Sequence, residues 1–444
     1  MEREKESDLL RSHEPIPDDL RSGFSPFRGA WVKEAIISCV KTLSSPRVTL
    51  AWSRPLLTMA QHRRDRPTGS VPGPRSVLVI KPDGIGDLVM AVPFLRELRR
   101  AWPAARMNVV VSAHAANLIE NCPYVDRILP IRLPPANRWW SPLSRRLAVL
   151  PFAHRCIWPK SYDLAIVPRW GVDRFESSFL AHLSGASSRV GYSEHVSAEK
   201  ERENRGYDRF FTHVVTDRSV SHEAQRNLDL LSALHVDAVE DGLEIWLSDD
   251  DELFADGVLA ATAPGAVIAL GLGAGSPKRI WPLHRFVNVG RWLANQGFVI
   301  VLVGGPGEEA LGEEFRRHVG GEVIDLTGRA TLRESAAVLQ RCVLFCGNDA
   351  GPMHVAAAAR VPVVEISCHP RGGDDLHPNS PKRFSPWGVP HRVIQPDEPA
   401  DGCASGCRES APHCITKVRV ASVIASIASL LDERTASGRS TDAH

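Results

Sequence analysis

The sequence predicts an α/β chain of two successive doubly wound domains with a cleft between them, and three observations carry that expectation. Short apolar runs such as "SVLVI" (76–80) and "FVIVLV" (298–303) alternate with amphipathic stretches at helical spacing. Runs of this kind are strands buried on both faces, as in parallel sheets covered by helices. Strand ends then break into glycine-bearing turns, at Gly84 and Gly86, at Gly271, Gly273 and Gly275, and at Gly304 and Gly305. Finally, 444 residues exceed what one core ordinarily organises.

Taken in order, "SVLVIKP" reads as a strand, 86–101 as a helix, "RMNVVVS" as a strand, 115–121 as a short helix and "DRILPI" as a strand. "YDLAIVP", a helix near 173–184, "SSRVGY", a helix near 222–234 and a strand "LEIWL" complete the first series. The acidic run "DDDELFADG" is the expected seam. Beyond it come "AVIALGLG", a helix over 283–296, "FVIVLVGG", a helix after Pro306, "EVIDL" and a helix over 332–340. "VLFCGN", a helix over 351–359, "VPVVEIS" and a closing helix over about 416–432 follow. The expected units are an extension over 1–74, domains over 75–255 and 256–400, and a Cys-containing segment with closing helix and polar tail over 401–444. Ligands of such folds bind at the carboxyl ends of the strands, here in the cleft.

A net charge of +1 gives no global field that would favour nucleic acid as a partner. No stretch reaches the roughly 20 apolar residues of a spanning helix, and the acidic first twenty residues are unlike a signal peptide, so the expected location is cytoplasmic. Scattered cysteines, nine in all, suit reduced thiols. Residues 21–66 carry nine basic and two acidic side chains, and Val32, Ile36, Cys39, Val40 and Leu43 share one helical face. That face either packs on the body of the protein or lies on the inner face of the membrane.

Four blocks carry chemistry. "KPDGIGDLVMAVP" places Asp87 in the first turn of a helix, as a turn-one acid or as a base. "GLGAGSPKRIWP" lets backbone approach an anion at Gly273 and adds Lys278 and Arg279, without the Lys-Ser/Thr pair of a P-loop. "GGPGEE" offers Glu308 and Glu309, either complementing a helix dipole or accepting ribose hydroxyls. "GNDAGPMHVAAAARVPVV" ends a strand on Asn348 and Asp349 and opens a small-residue helix with His354 one turn in.

In this order the blocks resemble glycosyltransferase family 9, the ADP-heptose:lipopolysaccharide heptosyltransferases, over about residues 75–432. The resemblance implies a GT-B architecture of two Rossmann-like domains, the first holding the acceptor and the second the nucleotide-sugar. It implies that Asp87, flanked by Gly86, is the catalytic base. It also implies that Gly273, Lys278, Arg279, Glu308, Asp349, Ala350, Gly351 and His354 hold the donor. Two departures stand out: Ile280 is inserted between "KR" and "WP", and Ala350 occupies a position where many members have Thr. Gly86, and Arg169 and Arg174 beyond "YDLAIVP", are candidates for binding the acceptor, the two arginines for an acidic one such as a phosphorylated, lipid-linked sugar. No cofactor is required, the nucleotide-sugar being a substrate.

Near the end, Cys403, Cys407, His413 and Cys414 follow the spacing C-x₃-C-x₅-H-C, which is not a standard zinc knuckle and leaves free thiols, a metal or a disulfide open. The expected function is inverting transfer of a heptose or related sugar to a cell-surface saccharide. Its rivals are a nucleotide-sugar epimerase and a non-catalytic binding protein of the same fold. An NAD-dependent oxidoreductase is disfavoured because G-x-G-x-x-G with a later acid is absent.

Overall fold

The computed structural model describes residues 73–133, 141–263, 265–403 and 409–441, with Thr49 and Ala51. The helix expected over 31–43 and Cys407 lie outside these residues.

The first half begins with β1 (Ser76–Lys81), buried along its whole length, followed by α1 (Ile85–Val89) and α2 (Val92–Ala101). The single helix expected over 86–101 is thus two. Pro93 stands in the first turn of α2, where its missing N–H costs no helical hydrogen bond. Next come β2 (Arg106–Ser112), β3 (Arg127–Ile131), α3 (Ser141–Phe152), β4 (Leu164–Val167), α4 (Ser177–Leu183) and β5 (Ser188–Tyr192). The series closes with α5 (Ala198–Glu203), β6 (His213–Val215) and α6 (Glu223–Ser232). The sheet is parallel, in the order β3-β2-β1-β4-β5-β6.

"LEIWL" is not a strand. Its alternation is served by side chains: Trp246 packs edge-to-face on Tyr124 with ring centres 5.4 Å apart, and Glu244 binds Arg96 at 2.5 Å and Tyr124 Oη at 2.7 Å. The sixth strand position belongs to β6. The acidic seam is itself a helix, α7 (Asp249–Leu259), started by a capping box of Ser248 and Asp251.

The second half comprises β7 (Val267–Gly271), α8 (Leu283–Asn295), β8 (Val299–Leu302), α9 (Glu309–Val319), β9 (Val323–Asp325) and α10 (Leu332–Gln340). It continues through β10 (Leu344–Asn348), α11 (Gly351–Ala358), β11 (Val363–Ile366), α12 (Pro381–Phe384), β12 (His391–Ile394) and the closing α13 (Val420–Thr441). This sheet is parallel too, in the order β12-β11-β10-β7-β8-β9. Among the described residues, no helix is long and apolar enough to cross a membrane.

Charged side chains join the halves. On one side Arg333 of α10 binds Asp251 at 2.9 Å and Glu120 at 2.6 Å. On the other, Glu223 at the start of α6 accepts from Arg383 Nε on α12 at 2.9 Å and pairs with Arg226 at 3.0 Å. Both guanidinium groups lie over the Trp170 ring, 3.6 Å (Arg226) and 4.9 Å (Arg383) from its centre. Burial pushes the Glu223 carboxyl up, but Arg383 and then Arg226 override it and hold the carboxyl down to about 2. Its folded pKa lies below the ordinary 4.5, so its stabilisation is complete above about pH 4.5 and is lost as pH falls toward 2. Glu223→Gln leaves two guanidinium groups facing a neutral partner and is expected to cost about 3–5 kcal/mol at pH 7. Urea unfolding at pH 7 and pH 3 checks this, the gap between variant and parent narrowing at the lower pH.

Candidate active site

β1 leaves its sheet through Pro82, Asp83 and Gly84 into α1, setting two carboxylates on the rim at the strand's carboxyl end. Asp83 is buried, with Lys81 Nζ 3.2 Å from its Oδ2; the same ammonium donates to the Pro168 carbonyl at 2.8 Å. Arg169, just past β4, places Nη1 3.0 Å from both Asp83 Oδ1 and Asp87 Oδ1. Its backbone is braced in turn by Lys200 of α5, which donates to the Arg169 carbonyl at 2.9 Å. The Asp87 side chain remains 21 % exposed. Desolvation pushes its carboxyl up, Arg169 pulls it back, and Asp83 adds to the upward push.

Across the cleft, α1 meets α11. A Cβ on Gly86 would fall 2.3 Å from Cδ2 of His354, and one on Gly351 would fall 3.1 Å from Cβ of Ile85. The two helices therefore approach at a separation that only glycine at position 86 permits. His354 is buried, its Nδ1 has no hydrogen-bond partner among the described residues, and desolvation with His222 and Arg279 nearby pushes its pKa down to about 3. It is a neutral imidazole at pH 7. His222 is held neutral too, pushed down to about 4 by burial, with Nε2 donating to the Ser385 carbonyl at 2.9 Å. Gly86→Ala is expected to lower kcat/KM on the order of 10²-fold by displacing α1 from α11 by about an ångström. Adding His354→Ala removes the clashing ring; steady-state kinetics of the pair should then show part of the loss recovered.

The donor-side rim is organised by Asn348 at the end of β10. Its Nδ2 donates to the carbonyls of Leu272 (2.8 Å) and Gly273 (3.2 Å), and its Oδ1 accepts from the Trp281 amide at 3.0 Å. Both ends of the glycine-lysine loop are thereby tied to β10. The inserted Ile280 follows a single 3₁₀ turn, Pro277–Arg279, ahead of the fully buried Trp281. The two cations diverge there. Arg279 turns toward Asp349 at 3.5 Å, while Lys278 lines a cavity of about 290 Å³ with Cys368 and His377.

Asp349 is buried; desolvation raises its pKa, Arg279 lowers it, and Asp87 raises it from the facing helix. The two carboxylates thus sense each other across the cleft. Next to Asp349, on β11, Glu365 is fully buried, its Oε2 has no hydrogen-bond partner among the described residues, and desolvation together with Asp349 pushes its pKa well up. Ala350 occupies the cap position of α11 without a side-chain acceptor; Pro352 has no N–H and the Met353 N–H donates to the Ala350 carbonyl at 3.1 Å, so the Gly351 amide is the one the first turn can offer to an anion. Glu308 folds over Gly273 so closely that a Cβ there would lie 2.0 Å from its Oε1, and its Oε2 accepts from the Gly305 amide at 3.2 Å. Burial raises its pKa.

The structure thus brings Asp87, Gly86, Gly351, His354, Asp349 and Arg279 to one place, with Gly273, Glu308 and Lys278 along the same strand ends. Arg169, expected to meet an acidic acceptor, is engaged with Asp83 and Asp87. Arg174 does not join it, being 60 % exposed and paired with Glu199 at 3.1 Å. Sequence reasoning passed over Glu365, His222 and the Glu223–Arg383 link. A lone acid inside "VPVVEIS" was the available signal for Glu365; nothing local marked the others. A second cavity of about 860 Å³, bounded by His222, Arg371, Trp387 and Gln395, meets the smaller one at His369 and Gly373, forming a trough leading away from Lys278. Asp87 lines neither cavity.

The sequence pattern of glycosyltransferase family 9 (heptosyltransferase) matches residues 154–405. Lipopolysaccharide heptosyltransferase 2 of Salmonella typhimurium is 23% identical over 331 residues, covering 72% of this chain and 87% of that protein. Among solved structures, a family 9 glycosyl transferase from Veillonella parvula superposes with a TM-score of 0.64 at 23% identity, covering 81% of this chain and 97% of its own. The ADP-heptose lps heptosyltransferase II of E. coli gives a TM-score of 0.59 at 20% identity, covering 81% and 99%.

Proposed function

Because this chain belongs to glycosyltransferase family 9, we propose that it is an inverting heptosyltransferase that moves a heptose from ADP-heptose to a saccharide of a lipopolysaccharide core. The curated relatives are named for that transfer, and the chain spans most of their length. The observation that carries the reading is the opposition of Asp87 on one rim to Arg279, Asp349 and the uncapped start of α11 on the other.

In this reading the acceptor hydroxyl attacks the anomeric carbon of the donor sugar while Asp87 takes its proton. The new C–O bond forms as the bond to the diphosphate breaks, so a single displacement inverts the centre. A sugar hydroxyl is a weak nucleophile, and a placed base contributes on the order of 10²–10⁴-fold. Charge growing on the departing ADP is met by Lys278 and by the Gly351 amide at the start of α11. Glu308 accepts from the ribose hydroxyls. Arg169 is a positioning residue: it aims Asp87 and opposes the rise in its pKa that burial causes. In this reading the nucleotide-sugar is a substrate and the transfer needs no cofactor. The protein works at the cytoplasmic face of the membrane, where the basic segment 21–66 supplies a peripheral contact.

The test is incubation of the purified protein with ADP-heptose and a core lipid lacking its outer heptose, read by mass spectrometry. A product heavier by one heptose, with inverted linkage by NMR, supports the reading. Tight nucleotide-sugar binding without turnover on any core acceptor overturns it in favour of a binding protein.

A further inference from the structure

We propose that Cys403, His413 and Cys414 form a structural site for a divalent metal of the zinc class, stapling the segment between β12 and α13. One donor atom from each of the three lies within 4.8 Å of the others. The edge of a tetrahedral site with Zn–S of about 2.3 Å is about 3.8 Å, so closure on a metal needs a contraction of about 1 Å at most. Two thiolates and one imidazole are the donor set that zinc prefers over harder cations, and a water molecule would complete the tetrahedron. Binding displaces one proton from each thiol to solvent, leaving a complex of no net charge.

Two features around the donors are those of a prepared site. The His413 Nδ1–H donates to the Ala411 carbonyl at 2.8 Å, which fixes the tautomer and leaves Nε2 as the lone-pair nitrogen. The Ala400 amide donates to Cys414 Sγ at 3.3 Å, an interaction that strengthens when the sulfur is a thiolate. Both sulfurs are outside any disulfide.

The fold supplies a reason for such a staple. Between β12 and the 3₁₀ turn Cys414–Lys417 the described residues form neither helix nor strand, and the sequence "PDEPADGCASGCRESAPH" offers almost nothing apolar to bury. A polar segment of that composition has little to offset its ordering entropy. Yet it is held at both ends, through the Cys414 contact and through Lys417 Nζ donating to the Pro399 carbonyl at 2.8 Å. Cys403, His413 and Cys414 all line the cavity that contains Lys278, so the staple fixes a wall of the trough described above.

The experiment uses the full chain, purified without chelator from zinc-supplemented medium. Elemental analysis is expected to find about one zinc per chain, and exchange with Co²⁺ to give the intense visible and near-ultraviolet bands of a tetrahedral thiolate site. Cys403→Ser and His413→Ala each should weaken zinc retention on the order of tenfold or more, while Cys156→Ser, remote in the first domain, retains it. Cys414 is buried and its variants are avoided. The cobalt spectrum of the unaltered protein does not depend on any variant folding. A protein that purifies without metal and gives no tetrahedral cobalt spectrum overturns the proposal, as does a Cys403–Cys414 disulfide found by mass spectrometry of alkylated protein.

Discussion

Asp87→Asn is expected to lower kcat on the order of 10²–10⁴-fold while ADP binding stays intact, because the change removes proton acceptance and little else. The side chain is a fifth exposed, and Arg169 keeps its second partner, Asp83, at 3.0 Å, so no buried cation is orphaned. The pH dependence offers an independent readout. Burial places the Asp87 pKa above the ordinary 3.8, so activity should fall on the acid side at a pH higher than a solvated aspartate would give. Arg169 opposes that shift. Arg169→Met should therefore move the acid limb to still higher pH, the direction opposite to a loss of acceptor binding, which would raise KM and leave the limb in place. A D87N enzyme with unchanged kcat on the core acceptor would show that the base lies elsewhere.

The second large effect is expected from Lys278→Ala combined with Arg279→Ala, a loss on the order of 10²–10³-fold in kcat with weakened ADP binding. The single variants should separate the two cations. Lys278→Ala removes charge from the trough and should carry most of the loss, with partial rescue by Lys278→Arg. Arg279→Ala withdraws the cation 3.5 Å from Asp349 that lowers its pKa, so the buried Asp349 carboxyl is pushed further up beside Glu365, whose pKa is raised as well. That variant should therefore show a thermal-stability cost absent from Lys278→Ala. Calorimetric titration with ADP and steady-state kinetics check both. Unimpaired nucleotide affinity in the double variant would remove this loop from the donor site.

Much of the architecture was legible because its signals are local. A buried parallel strand is an apolar run of five or so residues, and the glycine turn and helix start that follow lie within ten more, so β1 into α1 and β10 into α11 were readable from their own segments. "LEIWL" failed for the same reason: local alternation says that one face is buried, not whether backbone or side chains provide the cover. Pro93 marks the break in the first helix locally, although the apolar period runs on across it.

Which chemistry-bearing residues would gather at the cleft was largely a sequence question, since Asp87, Glu308, Asp349 and His354 all stand at strand ends or first turns, where a doubly wound fold presents them. What each does to its neighbours was decided only by the tertiary structure. Arg169 meets Asp87 across 82 positions, Arg383 meets Glu223 across 160, and His354 sits under Gly86 from the other domain. Such pairings follow from how two sheets face one another, and the energies that set protonation, desolvation and Coulomb terms, act over a few ångströms of space whatever the distance along the chain.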